Sequence, residues 1–202
     1  MERDDRTKIH KEVEIRADDV LLLNNLTGSM KNSLRYNSFF GHFMQFDKFL
    51  ENHNLHCILT LLAEGIEAYP EWVQYIKLRK HRYTIELHGY SHHYYKGMTE
   101  EEAYQSLSTA RDLIEKAFDV TVSRWYVPFG RHHFPGWDYI KVCERLGLKF
   151  HTRGGTTRHF YFHFWNSRDR ERLVRLYKEH GESFKKADRN LAWDPRNHRV
   201  SD

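Results

Sequence analysis

The sequence predicts an α/β fold built on a parallel sheet. Three observations carry this. Apolar runs of strand length alternate with stretches whose apolar residues recur at helical spacing, the order expected of repeated βαβ units with right-handed crossovers. The runs are apolar without clean alternation, which suits a sheet covered on both faces. Polar residues capable of chemistry gather just after several of these runs, where α/β folds place their sites. Six strands and about five helices fit a small, distorted or incomplete (β/α) barrel; a doubly wound open sheet is the alternative.

The elements follow in order. Val13-Glu14-Ile15-Arg16-Ala17 alternates and reads as the first strand, ending at Asp18-Asp19. Residues 24–37 hold Gly28, several Asn and Ser/Thr, and read as a long loop. Phe39, Phe40, Phe43, Phe46, Phe49 and Leu50 recur at helical spacing, which predicts a helix over 39–53 with its Phe stripe in the core. Residues 57–62 form the second strand, and Pro70 opens a helix over 71–81. Ile85-Glu86-Leu87 is the third strand; Gly89 then permits a sharp turn. Thr99-Glu100-Glu101-Glu102 is a capping box that starts a helix running to about 118. Arg124-Trp125-Tyr126-Val127 is the fourth strand, ended by Pro128-Phe129-Gly130. A helix over about 137–146 is closed by Gly147. Residues 148–151 and 160–164 are further strands, and Ser167 caps a last helix through about 180. This gives one domain over 12–182, with a polar extension at 1–11 and a polar tail at 183–202.

Composition narrows the function. At 40% hydrophobic and 30% charged, the chain is globular and not disordered. Aromatics reach 15%, many in loops beside histidines, which suits stacking on sugars or bases. A net charge of +4 and a pI near 9.0 describe a weakly basic solvated surface. Nucleic-acid binding needs a concentrated basic stripe, so nucleic acid is not an expected partner. Cys57 and Cys143 sit in apolar runs without metal-site spacing and read as reduced core residues. The N-terminus is charged and no run reaches membrane-spanning length. No membrane is expected as a partner, and the chain is expected to be cytoplasmic or released without a classical signal peptide. There is no GxGxxG or GxxxxGK[ST] to make a nucleotide site.

Candidate ligands converge on one rim. Strand one ends in Asp18-Asp19, strand three in His88 and His92, and the last strand carries His163. His88 and His92 are separated by three residues, a spacing that can bring two imidazoles onto one cation. Two His and one carboxylate make a metal site with open positions, able to lower the pKa of a bound water. With two adjacent carboxylates, one can bind the metal while the other accepts a proton; His163 can supply one to a leaving group. Base, metal and acid together describe amide or ester hydrolysis. Fe(II) oxygenases use the same ligand type, usually on antiparallel scaffolds. An ideal strand points Asp18 and Asp19 to opposite faces, so the strand must end or bulge there.

Four ordered stretches carry a resemblance: Arg16-Ala17-Asp18-Asp19, His88-Gly89-Tyr90-Ser91-His92, Tyr126-Val127-Pro128-Phe129-Gly130 and Phe162-His163-Phe164-Trp165. Together they resemble the motifs of the polysaccharide deacetylase family (NodB-homology, carbohydrate esterase family 4), over roughly residues 12–180. The resemblance implies a NodB-like distorted barrel of about six to seven parallel strands. It implies Asp18 as base, Asp19, His88 and His92 as metal ligands, and His163 as acid. It further implies a divalent metal ion, zinc foremost, and removal of an acetyl group from an N-acetylated amino sugar or glycan. Tyr126, Pro128, Phe129, Arg131 and Trp165 are the expected substrate-binding set. The family's third motif carries an Arg two residues before its Pro, where it helps orient the base. Here Tyr126 stands at that position, and Arg16, Arg124 and Arg131 are the candidates for that part. A non-catalytic, carbohydrate-binding or structural descendant of the fold is the alternative these departures leave.

Overall fold

Six strands, β1 (Val13–Val20), β2 (Cys57–Leu62), β3 (Tyr83–Gly89), β4 (Arg124–Trp125), β5 (Lys149–Phe150) and β6 (Arg158–Phe162), form one sheet in the order β5-β4-β3-β2-β1-β6. Every pairing is parallel. The computed structural model describes residues 13–23, 33–129, 138–151, 158–163 and 168–187. Read from β6, the order is 6-1-2-3-4-5: each strand lies beside its sequence neighbour, and the last returns beside the first. A doubly wound sheet reverses its order in the middle. The cyclic order is that of a barrel, here without ladder bonds between β5 and β6 among the described residues.

Helices α1 (Ser33–Asn52), α2 (Gly65–Ala68), α3 (Pro70–Lys77), α4 (Glu100–Phe118), α5 (Tyr139–Arg145) and α6 (Arg168–His180) connect the strands or follow them. The predicted Phe stripe is core: Phe43, Phe46 and Leu50 of α1 pack with Ile15, Ala17 and Leu59 of the sheet. The Thr99 capping box forms, with the Glu102 amide donating to Thr99 Oγ1 (3.3 Å) and the Thr99 amide to Glu102 Oε2 (2.8 Å). Asp138 caps α5, accepting from the amides of Ile140 and Lys141. Gly147 follows α5 at φ +66°, the left-handed turn expected of it. Cys57 and Cys143 are buried free thiols.

Several boundaries differ from expectation. α1 begins at Ser33, inside the stretch read as a loop. Weak helix formers such as Asn cost only about 0.5 kcal/mol each, and a helix already held by a buried face extends through them. α3 stops at Lys77 and a 3₁₀ turn, Lys80–Arg82, leads into β3. β4 keeps two residues of the four expected. Past α6 the chain stays packed: Phe184 bridges Val13, Lys186 bridges Leu55, and Lys185 Nζ donates to Glu14 Oε1 at 2.9 Å. Residues 1–12, 24–32 and 188–202, together with Gly130, Arg131, Trp137, Trp165 and Ser167, lie outside the described residues.

Two buried carboxylates tie elements together, one between helix and sheet and one between neighbouring strands. Asp47 of α1 accepts from Arg82 Nη1 (2.5 Å), Tyr75 OH (2.7 Å) and the Tyr83 hydroxyl, and pairs with Arg79 Nε at 3.2 Å. Glu86, in the middle of β3, accepts from the amides of Ser123 and Arg124 and from Ser123 Oγ. It docks the start of β4, whose two-residue ladder is short of backbone bonds.

Asp47→Ala leaves the buried Arg82 guanidinium without its main counter-charge and is expected to destabilise by about 3–5 kcal/mol, read from urea unfolding. His56 is a second probe. Its Nε2 lies 2.9 Å from Thr84 Oγ1, and burial, with help from Lys185, pulls its pKa down to about 4. A folded value below the unfolded one means the folded state binds fewer protons. The contribution is therefore complete above about pH 6.5 and is lost as pH falls toward about 4. In His56→Gln the stability difference from wild type should change sign or shrink across that window, followed by urea midpoints at stepped pH.

Candidate metal centre and active site

The site lies at the C-terminal ends of β1, β3 and β6. Two local irregularities build it. Ala17 pairs with Leu59 and Val20 with Leu61, so β1 advances three residues while β2 advances two. The extra residue is a bulge, and Asp19 within it sits at φ +58°. That left-handed turn, which Asp tolerates better than most residues, brings both carboxylates to one rim. On the other side of β2, Leu61 pairs with Leu87 and Leu62 with Gly89, which leaves His88 as the extra residue of β3. Gly89 is closely approached: a Cβ there would meet Tyr95 OH at 2.7 Å and the Ser91 carbonyl at 3.0 Å.

Asp19 is the hub. Its Oδ1 lies 3.1 Å from His88 Nε2 and 3.1 Å from His92 Nε2, and its Oδ2 lies 3.6 Å from His163 Nε2. Asp19 and His88 are buried, while His92 and His163 are partly open to solvent. Burial raises the Asp19 pKa, but the hydrogen bonds and charges of His88 and His92 outweigh it and hold the carboxyl far below the usual range. Burial lowers the His88 pKa, but the bond to Asp19 and the charges of both aspartates more than reverse that. His88 Nδ1 donates to the Tyr126 carbonyl at 2.5 Å, and Trp125 Nε1 donates to the His88 carbonyl at 3.2 Å. A carbonyl can only accept, so Nδ1 carries hydrogen and Nε2 is the atom presented to Asp19.

The donor set fits a divalent ion. One carboxylate oxygen and two imidazole nitrogens lie within 4.8 Å of one another. Ligands bound at about 2.1 Å around one ion are about 3–3.5 Å apart, close to the spacings seen from Asp19 to each imidazole. Among the described residues this is the one such cluster.

Asp18 has different company. Arg16 donates to it twice, Nε to Oδ1 (2.6 Å) and Nη2 to Oδ2 (2.7 Å), and Thr60 Oγ1 donates to Oδ1 at 2.9 Å. Burial raises the Asp18 pKa, and the Arg16 charge and hydrogen bonds bring it below the ordinary value.

The expected residues therefore separate. Asp18, Asp19, His88, His92 and His163 are brought together. Of the expected substrate-binding residues, Phe129 is exposed at the rim, with φ +60°. Its ring lies 4.1 Å from His92 and stacks on Tyr94 at 4.0 Å. Tyr126 and Pro128 are buried behind the site; Tyr126 packs on His151 and under Arg16. Arg131 and Trp165 lie outside the described residues. Sequence reasoning missed Thr60 and Tyr94. Thr60 had a signal, as the one polar residue in Cys-Ile-Leu-Thr-Leu-Leu. It also missed Glu64, which burial pushes up to about 7 beside His92.

Fold and site define a barrel-type α/β protein with a carboxylate–histidine cluster at the strand ends. The chain belongs to the polysaccharide deacetylase family, whose model, described as Polysaccharide deacetylase, matches residues 41–151. That span holds His88, His92 and Phe129, but Asp18, Asp19 and His163 lie outside it. A comparison with curated protein sequences finds no match. Among solved structures, the chain is similar to peptidoglycan deacetylase PdaC from Bacillus subtilis (14% identity, 88% of this chain and 86% of that one, TM-score 0.61). It is also similar to a family 4 carbohydrate esterase from Bacillus anthracis (12% identity, 88% and 79%, TM-score 0.63). A third likeness is to a mutant CE4 family pseudoenzyme with restored enzymatic activity, BA3943, also of Bacillus anthracis (14% identity, 85% and 64%, TM-score 0.61). The chain spans less than two thirds of that relative. At these identities the likeness is one of fold. Among the described residues, no helix is long and apolar enough to cross a membrane.

Metal titration against a chelating competitor is expected to show one divalent ion per chain. Asp19→Ala should weaken binding by on the order of 100-fold or more, and Asp18→Asn by only a few-fold. Equal affinities in wild type and Asp19→Ala would sink the ligand assignment.

Proposed function

We propose that the protein is a metal-dependent hydrolase that removes an acetyl group from an N-acetylated amino sugar or glycan. One observation carries the reading: a carboxylate held by Arg16 and a carboxylate–histidine cluster share one rim, with His163 beside them. A divalent ion held by Asp19, His88 and His92, zinc being the expected one, supplies Lewis-acid chemistry toward water and the acyl oxygen. Asp18 takes a proton from the attacking water as its oxygen bonds to the acyl carbon. His163 gives a proton to the departing nitrogen as the C–N bond breaks. Acetate and a free amine result. Tyr94 and Phe129 are both exposed and stacked on each other, with Phe129 against His92, and this apolar surface suits the apolar face of a pyranose ring.

A second reading is a non-catalytic, carbohydrate-binding descendant. The observation favouring it is Tyr126 in the third motif, and the pseudoenzyme among the similar structures is a precedent for such descent.

Acetate release from N-acetylated chito-oligosaccharides and peptidoglycan fragments by the zinc-loaded protein decides between them. Turnover is expected, with kcat lowered about 100-fold or more in Asp18→Asn and in His163→Ala. A zinc-loaded protein that binds these glycans yet releases no acetate supports the second reading.

A further inference from the structure

We propose that Arg16 is the residue that positions Asp18, seated for that task on the buried ring of Tyr126. The catalytic consequence rests on the deacetylase reading; the pair itself rests on geometry. Arg16 and Asp18 are two apart on β1, so their side chains leave the same face of the strand. The guanidinium engages both oxygens at 2.6 and 2.7 Å, the bidentate arrangement that fixes a carboxylate in plane as well as in place. Thr60 Oγ1 adds a third donor from β2, to Oδ1. Oδ1 therefore accepts from Arg16 Nε and Thr60, and Oδ2 from Arg16 Nη2. The spare lone pair on Oδ2 is the one left to take a proton.

Arg16 is itself held. Its Cζ lies 4.9 Å from the Tyr126 ring centroid, and that ring is 2% exposed and stacked on His151 at 4.3 Å. A guanidinium over an aromatic face gains from the ring quadrupole without adding a competing acceptor. The two neighbouring carboxylates are thus told apart by their partners. Asp19 faces imidazoles, which can hand it over to a cation. Asp18 faces a guanidinium that keeps its charge at any working pH. Because the Arg16 guanidinium lies over the Tyr126 ring, an arginine at 126, just past β4, can be tested in place of the one removed from 16.

The test compares Arg16→Ala, Arg16→Lys and the double variant Arg16→Ala/Tyr126→Arg in zinc-loaded protein, with acetate release, zinc affinity and thermal unfolding as readouts. Arg16→Ala should lower kcat about 100-fold while KM and zinc affinity stay within about two-fold, as expected when ligands are untouched. Lys, a point charge that cannot bind both oxygens, should restore part of the loss. The double variant should regain about ten-fold over Arg16→Ala, one added charge-assisted contact. Wild-type kcat in Arg16→Ala, or a zinc affinity that falls in parallel with kcat, overturns the proposal. Should the wild type release no acetate, the deacetylase reading fails and the pair is judged by melting alone. Arg16→Ala should then lower Tm by roughly 5–10 °C in the wild-type background and by much less in Asp18→Ala. Equal shifts in both backgrounds overturn it.

Discussion

A parallel strand in regular register points consecutive side chains to opposite faces, so Asp18 and Asp19 share a rim only because β1 uses three residues where β2 uses two. β3 does the same one strand away, with His88 as its extra residue. The two bulges flank β2 and lie where the site's side chains emerge. Left-handed backbone at Asp19 costs on the order of 1 kcal/mol, and the surrounding contacts must exceed it. They do so electrostatically. A buried carboxylate without partners would be far more costly than the strain, and Asp19 finds three imidazoles, from β3 and from the chain just past β3 and β6.

The described core contains other buried acids, and their donors distinguish them from the site. Asp47 is met by guanidinium and phenol groups between α1 and β3, and Glu86 by amides at the start of β4. Neither accepts a hydrogen bond from an imidazole among the described residues; Asp47 ties α1 to the sheet, and Glu86 ties β3 to its neighbour β4. Asp18 stands between these classes: it pairs with arginine as Asp47 does, though here one guanidinium grips both oxygens, and it lies at the strand end beside the cluster. Charge burial in this chain thus serves two ends, and the identity of the donor marks which.

Much of this was legible. The alternation of apolar runs and helical stripes predicted the strands and most helices, and the capping box at Thr99 formed as read. The need for a bulge at Asp18-Asp19 followed from strand alternation alone. What was not legible depends on contacts distant in sequence. Glu86, between Ile85 and Leu87, carries no local sign of its partners, Ser123 and Arg124, which lie more than thirty residues on. Arg16 was one of three candidate arginines, and the fold shows that it lies against Asp18; Arg131 is outside the described residues. Ser33 starts α1 without an acidic first turn, because tertiary packing of the Phe face outweighs local propensity. Tyr126 and Pro128 sit in a recognisable motif, yet burial of side chains in a turn depends on the strands beneath it.

The bond from His88 Nδ1 ends on the main-chain carbonyl of Tyr126, not on a side chain. Every amino acid carries that carbonyl. A substitution at position 126 therefore leaves the His88 tautomer undisturbed so long as β4 keeps its register, and the Leu87 carbonyl, which accepts from the Tyr126 amide, holds that register. Where a carboxylate orients a ligand histidine, one point mutation can undo the arrangement. Here the orienting group is genetically silent. The residue at 126 can accordingly be exchanged, and with it the chemistry behind the proposed base, without disturbing the orientation of His88.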